Sequence, residues 1–520
     1  MTKYYDIHCH VFNKNIFNRN IISVLITLAE LSDNMSTNDK EGKIKQVLTQ
    51  LNSGLDTIMS SNTEEVFNII DKAYKKQFII TPLMFDLTYV DDNDGNITQN
   101  SRYFKNIKHF IVKIKYLIKS LKVIYTNNEI DDLLTNILKN INKYQQFLDD
   151  ATNADELLID SNNYSQQIED LEKLATNFSR VKPFFSIDTR RERNDNENLL
   201  DLVKEKIKGE NAKFIGIKLY APAGFSPTDP ILMGTNNKEG IYKYCQENNI
   251  PITIHNSNSG FSCFSRQLKV WGDFNLNGEI IKLNGEKIKF DTKFFSILET
   301  SSAIKERAEK LNHPKLWEKV LKKYPNLIIN FAHFGGSSQI MEYVNYLFPY
   351  DAKKIDAFDF EDLIDDIENE DDKLFIKNYY EFHENGVESS YYLKNNINDD
   401  DRKKLWLILY SKDKIDNWSR RIYDIISNPQ YPNAYTDLSC FSEGSDSIKE
   451  ALNKFKIKIF DEQSDDYTRS KFLYGTDFFF SLLSGITLDD YIKDFIDVFG
   501  EEDFKIIASR NSEKFLGINQ

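Results

Sequence analysis

The sequence predicts an α/β fold, a (β/α)8 TIM barrel with large inserted helical and hairpin segments. Short apolar, β-branched or aromatic runs alternate along the chain with helix-like stretches, which is the pattern of parallel βαβ units. The runs are continuously apolar because helices cover both faces of a parallel sheet. Eight such runs fit the strands of one closed barrel. They span residues 4–12, 78–87, 181–188, 213–220, 250–257, 326–334, 434–439 and 471–479.

The 520 residues are predicted to form one domain, 1–520, although a barrel of this kind needs only about 250 residues. The surplus is expected in insertions at about 13–77, 88–180, 258–325 and 341–430. Within the third, residues 274–290 carry two Asn-Gly steps between alternating residues, which indicates small β-hairpins. Because the long gaps follow strands, we expect the insertions to cap the mouth at the carboxyl ends of the strands.

Composition limits the partners of the protein. The net charge of −14 argues against nucleic acid as a main partner, so a small-molecule substrate is expected. The amino terminus shows no apolar signal region, and the apolar stretch 21–31 is too short to span a bilayer. Cysteine spacing gives no disulfide framework, which favours a reducing, cytoplasmic location. We therefore predict no membrane partner, and a homo-oligomer stays open.

His8 and His10 flank Cys9 on the first predicted strand. Residues i and i+2 of a strand point to the same side, so both imidazoles should face the barrel interior and Cys9 the helices. Neutral imidazole is a common zinc ligand, and two on one wall can bind one ion. This pattern indicates a metal site, although an isolated His-x-His is a weak signal.

Three further ionisable residues end predicted strands: His255 the fifth, His333 the sixth and Asp477 the eighth. Four of the seven histidines of the chain therefore lie at the carboxyl ends of strands. In this type of barrel, ionisable groups at those ends belong to the active site. A purely structural role would bury several imidazoles without evident partners, which is unfavourable.

Lys218 lies on the fourth predicted strand, in FIGIKLY. Alternation places Phe214, Gly216, Lys218 and Tyr220 on one face and the isoleucines and leucine of this run on the other. The apolar face suits packing against helices, so Lys218 should point into the barrel. A buried ammonium there requires a carboxylate partner such as Asp477 or Asp188, a substrate, or chemical modification.

Taken in order, the strand motifs resemble the amidohydrolase superfamily, and within it the amidohydrolase-2 branch, which mixes hydrolases with metal-dependent decarboxylases. The motifs are DIHCH, GIKLY, PITIHNS, NFAHFGG, YTDLS, YGTDFF and the closing NSEKFLGI. The resemblance extends from residue 4 to about residue 517, and its specificity lies in the ordered set. The insertions carry no motif of the family.

The resemblance implies that His8, His10, His255 and Asp477 hold one divalent ion, most often Zn²⁺, with His333 beside the reacting group. In two-metal branches a carboxylated lysine on the fourth strand bridges the ions. Lys218 matches that strand, but this branch commonly uses one metal, so we expect an unmodified Lys218 close to the metal.

The chemistry expected of such a site is hydrolysis of a small carbonyl compound, an amide, lactone or ester. A bound Zn²⁺ lowers the pKa of water from about 16 to about 7. Asp477 is expected to act as the base, and the metal or His333 to polarise the carbonyl. Arg190, which follows the third strand, is a candidate clamp for a substrate carboxylate. Tyr220 and Asn256 are further candidates for substrate binding, the latter in the polar loop 256–265.

Three other functions stay open at this point. A metal-dependent, non-oxidative decarboxylase of a small, often aromatic, acid uses the same ligands. A phosphoesterase or DNase also begins with His-x-His but favours a bridging Glu where this chain has Lys218. A non-catalytic binding protein would be expected to have lost a ligand, and none is missing here.

Overall fold

The computed structural model describes most of the chain. The described residues are 3–11, 41–60, 62–86, 88–89, 100–125, 127–153, 159–195, 197–263, 265–276, 278–292, 300–385, 388–439, 448–478 and 487–518. The apolar stretch 21–31 and Cys440 lie outside these residues. No helix within the described ranges is long and apolar enough to cross a membrane.

The described residues form parallel strands and small antiparallel sheets. The strands are β1 (Tyr4–Cys9), β2 (Phe78–Pro82), β3 (Phe184–Ile187), β4 (Gly216–Leu219), β5 (Ile252–Ser257), β6 (Gln267–Leu276), β7 (Glu279–Lys289), β8 (Ile329–Gly335), β9 (Lys354–Asp356), β10 (Tyr380–Asn385), β11 (Glu388–Leu393), β12 (Ala434–Asp437) and β13 (Phe472–Leu473).

Helices fill the intervals between the strands. The α-helices are Glu41–Ser60, Thr63–Ala73, Asn100–Ile124, Asn128–Asn153, Ile159–Asn177, Arg190–Asn194, Leu199–Lys208, Pro230–Met233, Ile241–Glu247, Thr300–Asn312, Pro314–Lys323, Ser337–Asn345, Tyr350–Lys353, Ala357–Asp365, Glu370–Tyr379, Asp399–Ser411, Trp418–Ser427, Ile448–Phe455, Asp466–Arg469, Leu488–Lys505 and Ser512–Leu516. A 3₁₀ turn covers Ala221–Ala223, and π-helical turns cover Lys456–Asp461 and Ile506–Asn511.

The fold is mixed α/β with a parallel sheet of six strands in the order β13-β12-β8-β5-β4-β3. β1 and β2 form a second, two-stranded parallel sheet. Each of the eight runs predicted as a strand overlaps one of these parallel strands, which are shorter than the runs, and β8 extends one residue beyond its run to Gly335. The residues of these strands are almost all buried, as expected when helices cover a parallel sheet.

Backbone contacts connect the two-stranded sheet to both edges of the larger one. The N–H of Ile7 on β1 donates to the carbonyl of Tyr474, next to β13, at 3.1 Å. At the other edge the N–H of Ile80 on β2 donates to Arg180 O at 2.9 Å, and Met84 N donates to Phe184 O on β3 at 3.2 Å. The two-stranded sheet therefore contacts both edges of the six-stranded sheet through its backbone.

Side chains from strands of both sheets meet in one apolar cluster. Tyr5 and Ile7 of β1 pack there with Phe184 of β3 and Leu473 of β13. Phe515, from the last described helix, joins the same cluster and stacks on Phe184 with ring centroids 6.2 Å apart. A separate, larger core lies between the strands and the helices.

The insertion after β5 contains one antiparallel hairpin, β6–β7, where the two Asn-Gly steps predicted small hairpins. Gly278 of the first step lies between the two strands at a φ of 92°, and Asn277 lies outside the described residues. The second was wrongly predicted as a turn, because Asn284 and Gly285 lie inside β7 at a bulge opposite Trp271. Gly285 has a φ of 95°, and a Cβ there would lie 2.7 Å from the Trp271 indole, so the glycine permits the bulge rather than a turn.

The hairpin packs on segments that follow the carboxyl ends of β3 and β4. Ser226 Oγ donates to Asp273 O on β6 at 2.6 Å, and the Arg193 guanidinium lies 4.1 Å from the Trp271 ring. The hairpin therefore lies at the carboxyl ends of the parallel strands, the same end at which the predicted site residues are found. The insertion at 341–430 adds a small sheet, β10-β11-β9, that the sequence did not predict.

Helix Trp418–Ser427 fixes the backbone at the carboxyl end of β8. Its first turn is capped by Asn417, whose side chain accepts from Arg420 N, and asparagine is a favoured residue at this position. Ser419 Oγ donates to Phe334 O at 2.7 Å, and both residues are fully buried. This contact fixes the turn that carries the neighbouring His333.

Candidate functional site

The carboxyl end of β1 brings His8 and His10 to the residues that follow β13. The N–H groups of Thr476 and Asp477 donate to the His8 carbonyl at 3.1 and 2.8 Å. The register of β1 against β2 shifts between Asp6 and Cys9, which leaves both imidazoles near Asp477. Cys9 is buried in the core on the helix side, as alternation predicts.

One carboxylate oxygen of Asp477 lies between the two imidazoles. Its Oδ1 is 3.3 Å from His8 Nε2 and 3.1 Å from His10 Nε2. Ligand atoms of these three buried residues all lie within 4.8 Å of one another, so the group can hold a metal ion. Burial alone would raise the pKa of Asp477, but the adjacent His10 and His8 side chains hold that pKa well below its usual value.

The opposite ring nitrogens are held by acceptors outside this group. His10 Nδ1 donates to the carbonyl of Leu83 at 2.8 Å, and His8 Nδ1 is 3.0 Å from Asp437 Oδ2. Burial lowers the pKa of His10 to about 4, so its ring is neutral at pH 7 and Nε2 faces Asp477 with its lone pair. Burial would also lower the pKa of His8, but the charge of Asp437 raises it overall.

His255 and His333 form a second, connected pair. His255 Nε2 donates to Ser259 O at 2.9 Å, and its Nδ1 is 3.0 Å from His333 Nε2. Burial lowers the pKa of His333 to about 4 and that of His255 well below its usual value. The rings of His333 and His8 are 4.7 Å apart, so His333 lies between His255 and the β1 histidines. His255 is thus near the three-residue group but outside it.

Asp437, at the end of β12, is the most connected residue of the site, and the sequence did not single it out. In addition to His8, its carboxylate accepts from Asn330 Nδ2 at 2.7 Å and from His333 N at 3.1 Å. The Ser439 hydroxyl contacts the same carboxylate and lies 3.0 Å from His333 Nδ1. Its position at a strand end in YTDLS was the available signal. Asp437 also forms a second group of candidate metal ligands with His8 and His333.

Lys218 points into the site from β4. Its side chain is fully buried, and Nζ has no hydrogen-bond partner among the described residues. Burial lowers the pKa of Lys218 to about 8, although the charges of Asp477 and Asp437 oppose this. Phe214 departs from the predicted alternation: it precedes β4 and packs edge-on against Phe185, with ring centroids 5.2 Å apart.

Tyr220 forms a wall of the site. Its ring stacks on His255 at a centroid distance of 4.4 Å, and its hydroxyl accepts from Phe261 N at 2.8 Å. Phe85 lies 5.0 Å from the Tyr220 ring and 4.8 Å from the His10 ring. The histidines are therefore bordered by aromatic side chains.

Arg190 and Asn256 make contacts within the protein rather than ending in the histidine cluster. Arg190 forms a two-point ion pair with Asp188, and its Nη1 donates to the Tyr89 carbonyl at 2.7 Å. Asn256 Nδ2 donates to the Asn312 carbonyl at 3.0 Å. In this arrangement Arg190 could bind a substrate carboxylate only if its ion pair with Asp188 were broken first.

The backbone of the site is strained at two chemically important residues. His333 has a φ of 71° and Asp477 a φ of 52°, and Phe334 follows with 48°. Residues other than glycine rarely adopt this left-handed region, which costs on the order of 1–3 kcal/mol each. Such strain clusters at functional sites, where the surroundings hold it in place.

Comparisons with known proteins do not identify a family for this chain. No protein-family model matches the sequence, and no curated protein matches it. A solved crystal structure described as amidohydrolase II is similar to the chain at 11% sequence identity. The match covers 68% of this chain and 76% of that one, with a TM-score of 0.29. A likeness of this size adds nothing to the fold and site described above.

Proposed function

We propose that the chain is a metal-dependent enzyme of the amidohydrolase type that hydrolyses a small amide, lactone or ester. The observation that carries the proposal is the convergence of His8 Nε2, His10 Nε2 and Asp477 Oδ1 within 4.8 Å in a buried site. Nitrogen and carboxylate donors in this combination suit a single Zn²⁺.

The donor set fits a cation for an electrostatic reason. With its Nδ1–H donated to Leu83, a neutral His10 directs the Nε2 lone pair at the Asp477 carboxylate, only 3.1 Å away. Two electron-rich atoms at this distance repel each other unless a positive charge lies beside them. Metal-binding histidines commonly donate the other ring N–H to a carbonyl or carboxylate, as His10 does to Leu83 and His8 to Asp437.

We assign the fourth ligand position to His255, as the resemblance implies, and place His333 beside the reacting group. His255 requires a partner exchange for this, because its ring is bonded to Ser259 and His333. The neighbouring loop approaches closely, since a Cβ on Gly260 would lie 2.8 Å from the His255 ring.

We also propose that the parallel strands close into a (β/α)8 barrel. The contacts of β1 with the segment after β13, and of β2 with β3, support closure. The shared cluster of Tyr5, Phe184 and Leu473 suits the interior of such a barrel. The candidate site would then lie at the carboxyl mouth, where barrels of this type carry their active sites.

The residues of the site divide the chemistry among them. A bound divalent cation makes water more acidic and polarises a carbonyl. Asp477 is ionised at neutral pH, so its carboxylate can accept a proton from the attacking water and return it to the leaving group. A neutral His333 can donate a hydrogen bond to the carbonyl oxygen as negative charge develops there. Asp437 and Ser439 orient His8 and His333.

A metal-dependent decarboxylase of an aromatic acid is the second candidate. The aromatic border formed by Phe85 and Tyr220 favours a flat, unsaturated substrate. Release of carbon dioxide without consumption of water would distinguish this reaction from hydrolysis.

The test begins with the metal content of the purified protein, followed by a screen of amides, lactones, esters and aromatic acids with metal-free and zinc-loaded protein. We expect turnover only in the loaded protein and its loss in His10→Asn. His383→Asn is the matched control, because His383 lies on β10 with its side chain 52% exposed. Failure of the wild-type protein to bind a divalent metal would refute the proposal.

A further inference from the structure

Lys218 is a buried cation that the site does not neutralise. Its Nζ makes no hydrogen bond within the described residues, and no described carboxylate pairs with it within 4 Å. The aromatic face of Tyr220 lies 5.9 Å from Nζ. A buried, unpaired ammonium is strongly unfavourable, so its retention indicates a partner that arrives from outside.

The two nearby carboxylates are already engaged. Asp437 accepts hydrogen bonds from His8, Asn330 and Ser439, and Asp477 faces His8 and His10. Neither of them is therefore free to pair with the Lys218 ammonium. An anionic group on a bound ligand would supply the partner that Lys218 lacks among the described residues.

We propose that Lys218 binds a carboxylate of the substrate, so that the enzyme acts on a small organic acid. This inference rests on the proposed function and adds the substrate class to it. Lys218 projects from the same strand that leads into Tyr220, whose ring stacks on His255. A flat acid could therefore lie against this aromatic wall with its carboxylate on Lys218 and its reacting carbon toward the metal ligands.

Benzoate and benzamide are suitable probes because they have the same shape and differ in charge. Calorimetry with zinc-loaded wild-type protein is expected to show tighter binding of benzoate than of benzamide. Lys218→Met should weaken benzoate binding about 10- to 100-fold, the usual effect of losing a charged hydrogen bond, and leave benzamide unchanged. Lys218→Arg should retain most of the preference, and Lys218→Gln is a second neutral variant if the first folds poorly.

Lys208→Met is the matched control. Lys208 is exposed and lines a cavity with Pro251, Ile328 and Asn433, which precede their strands at the opposite end of the sheet. This variant should bind both probes like the wild-type protein. Circular dichroism and thermal unfolding would establish that each variant is folded.

Zinc content, measured for every variant, separates the two proposals. Equal benzoate affinity in wild-type and Lys218→Met proteins that both retain zinc would refute the inference and leave the metal site standing. Absence of zinc from the wild-type protein would refute the proposed function instead. A carbamate carbon signal after ¹³C-bicarbonate addition, present in wild type and absent in Lys218→Met, would also overturn the inference, because Lys218 would then be modified.

Discussion

The two histidine pairs of the site are held in different ways. On β1, His8 and His10 each contact an outside acceptor through Nδ1, and both Nε2 atoms face Asp477. On β5 and β8, His255 and His333 contact each other, with their nearest nitrogens 3.0 Å apart. In His8 and His10 a hydrogen bond to Nδ1 fixes the ring, so Nε2 already points to the place where a ligand would bind. His255 and His333 are hydrogen-bonded to each other, so this bond must break before either nitrogen can bind a ligand. The β1 pair is therefore preorganised for a metal, and the second pair can adjust to what binds.

The largest expected effect is the loss of metal binding in His10→Asn. Structural zinc sites contribute roughly 10–16 kcal/mol, so one of four ligands accounts for up to about 4 kcal/mol, or close to 1,000-fold in affinity. Competition with a chelating dye measures this, with His383→Asn as the control. An affinity within about tenfold of wild type would show that the β1 pair does not define the metal position.

A smaller loss is expected for His255→Asn, about 100-fold in zinc affinity, because part of the energy gained from this ligand is spent on breaking its bonds to Ser259 and His333. His333→Asn should retain zinc within about tenfold and lose turnover. The same competition assay compares the two variants. If His333→Asn releases zinc and His255→Asn keeps it, the roles of the two residues are reversed.

Asp437→Asn sharpens the comparison, because it changes what holds His8 without removing a proposed ligand. Outer partners of metal-binding histidines typically contribute about 10- to 100-fold in metal affinity. We expect a loss in this range, since the amide can still contact His8 but no longer carries the charge that favours the ligating orientation. The double variant Asp437→Asn/Asn330→Asp, measured alongside, tests whether charge at a neighbouring position can replace it. A wild-type affinity in Asp437→Asn would make Asp437 purely structural.

The smallest effect is a gain in stability. Lys218→Met removes a buried ammonium that lacks a hydrogen-bond partner among the described residues, so we expect the free energy of unfolding to rise by about 1–2 kcal/mol. Chemical denaturation at pH 7 of metal-free protein measures this change. Destabilisation beyond 1 kcal/mol would indicate that Lys218 supports the fold through Asp437 or Asp477.

Sequence periodicity predicted the parallel strands and brought His8, His10 and Asp477 to one place, because strand alternation and strand ends are local properties. Asp437 ends its strand as Asp477 does, so the same argument could have found it. Its many hydrogen bonds depend on Asn330 and His333 from another strand, and no local pattern shows these contacts. The prediction of a turn at Asn284-Gly285 was wrong, because the same dipeptide suits both a turn and a bulge. Contacts such as those of Arg190 and Asn256 depend on loops from distant segments.

The backbone contacts between β1 and the segment after β13 join residues that are far apart in the sequence. Thr476 N donates to the Asp6 carboxylate across a separation of 470 residues. During synthesis, His8 and His10 therefore leave the ribosome long before Asp477, and their carboxylate partner is among the last parts to arrive. In the proposed enzyme, metal capture would then be a late event in synthesis. A product truncated ahead of Asp477 would lack one of the three grouped ligands.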